Sequence, residues 1–217
     1  MNKIFLIAGL GADTRLYNNI DLGENHDITP IDWIEPNETD TLYTYAQKLI
    51  HQYFITNNSI VIGVSLGGML AIEMAKQLKL NKIILISTIK TVKEEPLFFK
   101  FLRTIPIHKL FTGRMLGRLG FFLRPIFGDM NEQEVWLFND MVQKSSPKFL
   151  KWAFDAALKF DNDVILPNVY HLIGDKDLLF DYKKISNAIV VKGGTHIMVF
   201  DKAKQINKIL KGILRKK

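Results

Sequence analysis

A short apolar run over residues 59–64 leads through Gly63-Val64-Ser65-Leu66-Gly67 into a second segment with no spacer between them. The run is bounded and rich in Ile and Val, which predicts a buried strand. Leu70, Met74 and Leu78 recur at helical spacing, which predicts a helix over 66–80. A strand that becomes a helix without a loop must turn sharply. Glycines on either side of Ser65 let neighbouring backbone approach that turn without Cβ clashes. G-x-S-x-G between a strand and a helix is the pattern that presents a serine hydroxyl at the head of a helix, whose N–H groups favour negative charge. With this chain's glycine and serine content, a chance match is expected only roughly 0.02 to 0.03 times. The competing reading of Ser65 is a helix cap at an ordinary strand-to-helix turn.

The rest of the chain is consistent with such a turn. Residues 3–10 form a β-branched and aromatic run closed by Gly9-Leu10-Gly11, and 27–33 a weaker run before Pro36. Residues 41–53 place Leu42, Tyr45, Ala46, Leu49, Ile50 and Tyr53 on one helical face. Residues 82–87 predict another buried strand. After a break, residues 164–174 and 188–192 read as strands, 182–187 as a short helical turn and 202–214 as a closing amphipathic helix. Short apolar runs alternating with amphipathic ones predict an α/β fold, a mostly parallel sheet covered by helices on both faces.

The break spans residues 91–161. No strand pattern recurs there. Amphipathic stretches at 97–105, 132–142 and 148–160 alternate with Pro and Gly, and Phe98, Phe99, Phe101, Phe111, Phe121, Phe122 and Phe127 make it the most aromatic part of the chain. This predicts a helical insertion on a core formed by residues 1–90 and 162–217. Its aromatics either line an apolar pocket or bind the insertion to the sheet. The formal charge is +7, and residues 96–128 hold Lys100, Arg103, Lys109, Arg114, Arg118 and Arg124 with no carboxylate. A solvated helical face is the favoured reading of these charges. An anionic partner or a peripheral membrane contact is the lesser one.

A serine hydroxyl needs a general base, itself oriented by an acid, to act as a nucleophile. His196 stands in Gly193-Gly194-Thr195-His196, straight after the last predicted strand. A base there would contribute about 10²–10⁴-fold. Its bland alternative is a solvated loop histidine. Gly174-Asp175-Lys176-Asp177 follows the preceding strand, and its bland alternative is an acidic turn. Spacing alone does not choose between Asp175 and Asp177.

These features together resemble the α/β-hydrolase superfamily over nearly the whole chain. They are a glycine turn after the first strand, G-x-S-x-G, an insertion, G-x-x-D and G-G-x-H, in the order Ser…Asp…His. The resemblance implies a compact α/β-hydrolase fold, with a helical cap inserted before the strand that carries the acid. It implies Ser65 as nucleophile, Asp177 as acid and His196 as base, with Gly63 and Gly67 as the elbow glycines. Leu10 and Leu66 would supply the oxyanion-hole N–H groups. The chain departs from the family at Ala8, where many members have histidine, and at Leu178-Leu179-Phe180, where a proline is common. The expected activity is cleavage of a small hydrophobic carboxylic ester, thioester or amide through an acyl-enzyme, with no cofactor. A ligand receptor or regulatory protein on the same fold and an acyltransferase are the alternatives.

Other classes have less support. Gly9-x-Gly11 and Asp32 mimic a dinucleotide fingerprint, but its third glycine position holds Thr14 and no P-loop occurs. The histidines, His26, His51, His108, His171 and His196, form no H-x-x-x-H pair, so no metal is expected, and His171 reads as a core residue. No nucleic-acid-binding module is recognisable. The chain has no cysteine, which excludes disulfides and thiolate chemistry. Residues 4–12 imitate a signal peptide, but their glycines fit a strand and turn better, and no run of about 18 apolar residues occurs. A cytoplasmic protein acting on a small molecule is the expectation.

Overall fold

The structure, a computed structural model, describes residues 2–115, 128 and 130–216. Strands β1 (Asn2–Ile7), β2 (His26–Ile31), β3 (Ile60–Val64), β4 (Lys82–Ile86), β5 (Val169–Gly174) and β6 (Ala188–Val191) make one six-stranded sheet. Its order is β2-β1-β3-β4-β5-β6, and every neighbouring pair is parallel. Each parallel pair needs a crossover, so helices cover both faces. The continuous apolar runs of β3 and β4 are buried at every position, as central strands of such a sheet require.

The period of two along each strand divides the core. Phe5, Ile7, Val61, Ile83, Leu85 and Ile173 face α1 (Leu42–Gln52), α2 (Leu66–Ala75) and α5 (Pro147–Leu158). Ile4, Leu6, Ile60, Ile62, Ile84, Ile86 and Leu172 face the closing helix α6 (Ala203–Arg215) through Ile206, Leu210 and Ile213. Beneath β1, the buried Tyr17 hydroxyl donates to the Ile7 carbonyl at 2.7 Å, and burial pushes its phenol far above the usual range.

Three of the elements that differ from the sequence expectation have an identifiable physical reason. β2 stops at Ile31, and Pro30, which has no N–H to give, is tolerated because β2 lies at the sheet edge. β5 begins at Val169 rather than 164, because Pro167 is followed by Asn168 at φ 58° and the chain turns there. α2 ends at Ala75 rather than 80, and the Gln77 N–H then turns back to the Met74 carbonyl at 3.0 Å.

Between β4 and β5, the described residues contain α3 (Leu97–Thr104), α4 (Glu132–Lys144) and α5. Asn131 and Glu134 form a capping box at the start of α4, and Ser146 caps α5 with Pro147 in its first turn. The Arg103 guanidinium grips the Glu95 carboxylate at 2.5 and 2.6 Å and donates to the Leu158 carbonyl, tying α3 to α5. Nearer the sheet, the Lys90 ammonium is buried between Glu94 Oε1 at 2.5 Å and the Ser186 carbonyl at 2.6 Å. His171 is a core residue, as expected. It donates from Nε2 to the Thr88 carbonyl at 3.1 Å, and burial, reinforced by the Lys90 charge, lowers it to about 3.

Candidate active site

Ser65 sits between β3 and α2 at φ 52°, a left-handed conformation that a residue with a Cβ occupies only at a cost. Backbone contacts hold it there. Its N–H donates to the Ile86 carbonyl at 2.9 Å, and its own carbonyl accepts from Thr88 Oγ1 at 2.7 Å. The two flanking glycines are sterically required. A Cβ on Gly63 would collide with the Gly67 carbonyl, and one on Gly67 with the Ile7 and Ala8 carbonyls at the end of β1. Thr88 also packs against Gly68, so the second residue after β4 braces both the serine and the helix behind it. Thr88 is a site residue that no local motif marks, because only strand pairing brings it to the turn.

Asp177 and His196 follow the ends of β5 and β6. His196 Nε2 lies 3.2 Å from Ser65 Oγ, and its Nδ1 lies 3.0 and 3.2 Å from the two Asp177 carboxylate oxygens. Both side chains are buried. Asp177 Oδ1 also accepts from the Leu179 and Phe180 N–H groups at 2.9 and 3.0 Å. The carboxylate is thereby fixed by main chain on one side and by the imidazole on the other. Such an arrangement places the proton of His196 on Nδ1 and leaves Nε2 to accept from the serine. Asp175 is directed elsewhere, its Oδ1 accepting from the Gly193 N–H at 2.6 Å. That bond closes the loop carrying His196, so two aspartates two residues apart have different partners. The neighbouring Thr195 hydroxyl donates to Asp201 Oδ2 at 3.0 Å, and burial holds the Asp201 carboxyl above the ordinary carboxylate range.

Leu10 and Leu66 lie on the wall of the same cavity as Ser65 and His196. Leu66 opens α2, and its N–H is one that a helix leaves without an intrahelical acceptor. The loop after β1 also comes close, since a Cβ on Gly9 would stand 3.3 Å from that of Ser65. The cavity has a volume of about 430 Å³ and is walled by side chains such as Met69, Phe98, Phe99, Leu102, Phe154 and Leu179. Among the described residues, all lining side chains apart from Ser65 and His196 are apolar. Of the phenylalanines singled out in the sequence, Phe98 and Phe99 line the cavity, as do Phe138 and Phe154 of the same segment, while Phe101 is exposed and Phe111 is half-buried outside it. Phe121, Phe122 and Phe127 lie outside the described residues, as do Arg118 and Arg124. Phe180 was noted in the sequence only for standing where a proline is common. It is buried, with its ring 5.5 Å from that of His196 and 6.2 Å from that of Phe99, so it backs the imidazole.

The rival constellations do not assemble. The loop after β1 leads into a single short 3₁₀ turn, Thr14–Tyr17, rather than a helix whose N-terminus could receive a pyrophosphate. Among the described residues, no group of three or more His, Asp or Glu side chains is placed to hold a metal ion. No helix among them is long and apolar enough to cross a membrane.

No protein-family model and no curated protein matches the chain. Solved structures do match it along its length. It superposes on a thermophilic esterase from Thermogutta terrifontis with a TM-score of 0.75 at 15% identity, covering 99% of this chain and 90% of that one. An esterase from Exiguobacterium antarcticum gives 0.70 at 16% identity, covering 100% and 92%. A bromoperoxidase from Bacillus anthracis gives 0.73 at 16%, covering 99% and 92%. At these identities the likeness is one of architecture. The chain has the α/β-hydrolase fold, with a parallel sheet flanked by helices.

Proposed function

We propose that this chain is a serine hydrolase that cleaves small hydrophobic carboxylic esters through an acyl-enzyme on Ser65. The observation that carries the proposal is the hydrogen-bonded series from Ser65 Oγ through His196 to Asp177, set in the wall of an apolar cavity. The esterases among the proteins of like architecture support the same reading.

Ser65 Oγ attacks the acyl carbon while His196 Nε2 takes its proton. Asp177 keeps the imidazole oriented and offsets the positive charge it acquires. The N–H groups of Leu10 and Leu66 stabilise the oxyanion, each such donor being worth about 10²–10³ in rate. His196 then returns the proton to the leaving alcohol. A water molecule, deprotonated by the same nitrogen, attacks the acyl carbon and releases the acid. Helices α3 and α5 act as a cap whose Phe98, Phe99 and Phe154 receive the acyl group.

Incubation with a fluorophosphonate probe and peptide mapping tests the nucleophile. Label is expected on Ser65 and none on the Ser65→Ala protein. Equal labelling of both, or none of either, would overturn the assignment. A series of p-nitrophenyl esters of rising acyl length tests turnover. Labelling of Ser65 with no length cleaved above the Ser65→Ala background would favour a ligand receptor on the same fold. Transfer of the acyl group to added alcohol in preference to water would favour an acyltransferase.

A further inference from the structure

Helix α3 has two apolar faces. Phe99 is buried and Leu102 packs inward with it, yet Leu97, Phe101 and Ile105 form a second stripe at i, i+4, i+8 that faces solvent. Leu97 is 71% exposed and Phe101 53%. The chain beyond α3 extends the patch, with Ile107 and Met115 exposed and Leu110 82% exposed. A soluble face carries such residues singly, whereas a run of them in one segment marks a surface that meets an apolar phase or a partner. Phe98 and Leu178 are exposed and also line the cavity, so the patch reaches the cavity mouth.

The charges of this segment have one sign. Residues 96–128 contain six Lys and Arg side chains and no Asp or Glu. Lys100 stands exposed beside the stripe, 4.0 Å from the buried Glu95, and Arg114 is exposed near its far end. Gly113, packed against the Pro147 backbone, anchors that end to the start of α5. A solvated helical face, the favoured reading of the sequence, would require polar side chains where Leu97, Phe101 and Leu110 stand. Large apolar side chains flanked by cations match instead the boundary of an anionic bilayer, where acyl chains take up the former and lipid headgroups pair with the latter.

We infer that this face, formed by α3 and the segment to Met115, docks on an anionic membrane surface and turns the cavity mouth toward the lipid. The docking does not depend on the proposed chemistry, and its test does not use turnover. The whole protein is sedimented with phosphatidylcholine vesicles containing about one-third phosphatidylglycerol, and with phosphatidylcholine alone. Binding to the mixed vesicles is expected, at least about tenfold weaker on the neutral ones, and falling as salt is raised. Leu97→Ser, Phe101→Ser and Leu110→Ser combined should weaken it about 100-fold. Lys100→Gln with Arg114→Gln should weaken binding to anionic vesicles and leave the weak neutral binding in place. None of these five residues lines the cavity, so p-nitrophenyl acetate hydrolysis serves as a separate check on the site. If the triple variant fails to fold, as judged by circular dichroism, the charge pair still reads the anionic contribution. No sedimentation at millimolar lipid, or binding unchanged in both variants, would overturn the inference. So would a concentration-dependent dimer abolished by the triple substitution, which would identify a second copy as the occupant.

Discussion

Asp177→Asn separates what the carboxylate does for the fold from what it does for His196. In the native site Oδ1 accepts two main-chain N–H groups, from Leu179 and Phe180, and these donors can be met only by an oxygen. The amide of the substituted asparagine must therefore keep its carbonyl oxygen there and turn its NH₂ to the position of Oδ2, 3.0 Å from His196 Nδ1. A donor at that nearer position, beside a carbonyl oxygen already engaged by two N–H groups, favours Nδ1 as the acceptor. The ring proton moves to Nε2, which can no longer receive the proton of Ser65. The expected cost is about 10⁴ in kcat, or about 5.5 kcal/mol at 1.36 kcal/mol per tenfold, with the elbow geometry intact. Because both backbone bonds survive, unfolding stability should change by less than about 1 kcal/mol. The assay is steady-state hydrolysis of a p-nitrophenyl ester alongside urea denaturation, with Asp175→Asn as the comparison. Asp175→Asn keeps its bond from the Gly193 N–H and should stay within about threefold of the native rate. A kcat within tenfold of native for Asp177→Asn, or equal losses for the two variants, would refute the reasoning.

Two further outcomes follow from packing and burial. Gly67→Ala drives a methyl group into the Ile7 and Ala8 carbonyls and should lower stability by about 1–3 kcal/mol in urea denaturation, with native-like stability counting against the steric account of the elbow. His171 resists protonation in the folded protein down to about 3, while the unfolded chain takes up that proton near 6.5. Its contribution to stability is therefore complete above about pH 6.5 and declines as pH falls toward 3, and a His171→Gln protein should show a flatter fall over that window in thermal unfolding.

The site was legible in the chain wherever its physics is local. Gly63 and Gly67 flank Ser65 because a bare Cα is needed within two residues of the turn, and such a requirement is written into adjacent positions. The glycines before Asp177 and His196 also showed in the sequence, although their cause is a contact across strands, since Gly174 at the end of β5 packs directly on Gly194 after β6. What stayed open depends on contacts distant in sequence. Asp175 and Asp177 occupy one turn and differ only in what faces them, Gly193 or His196, which the order of β5 and β6 decides. Thr88 and Phe180 brace the serine and the imidazole across the sheet and leave no pattern along the chain. Periodicity overran β5 because Val164 and Ile165 look like strand residues, yet Pro167 and Asn168 turn the backbone before it. The two faces of α3 were hidden for a related reason. An amphipathic pattern such as that of 97–105 does not tell which of its apolar residues face the protein until the neighbours are known.

The topology also orders events in time. The hydrogen bond between Ser65 and His196 joins residues 131 positions apart, because the whole 91–161 segment and the three strands β4, β5 and β6 are translated between them. At about 5–20 residues per second, a ribosome makes Ser65 on the order of ten seconds before its imidazole exists. Through that interval the Ser65 hydroxyl has no imidazole to face, and β4 waits at an unpaired edge for β5. Only when β6 closes the sheet do Asp177 and His196 arrive together. A chain stopped anywhere before the last strand would hold the strained turn without the side chains it faces.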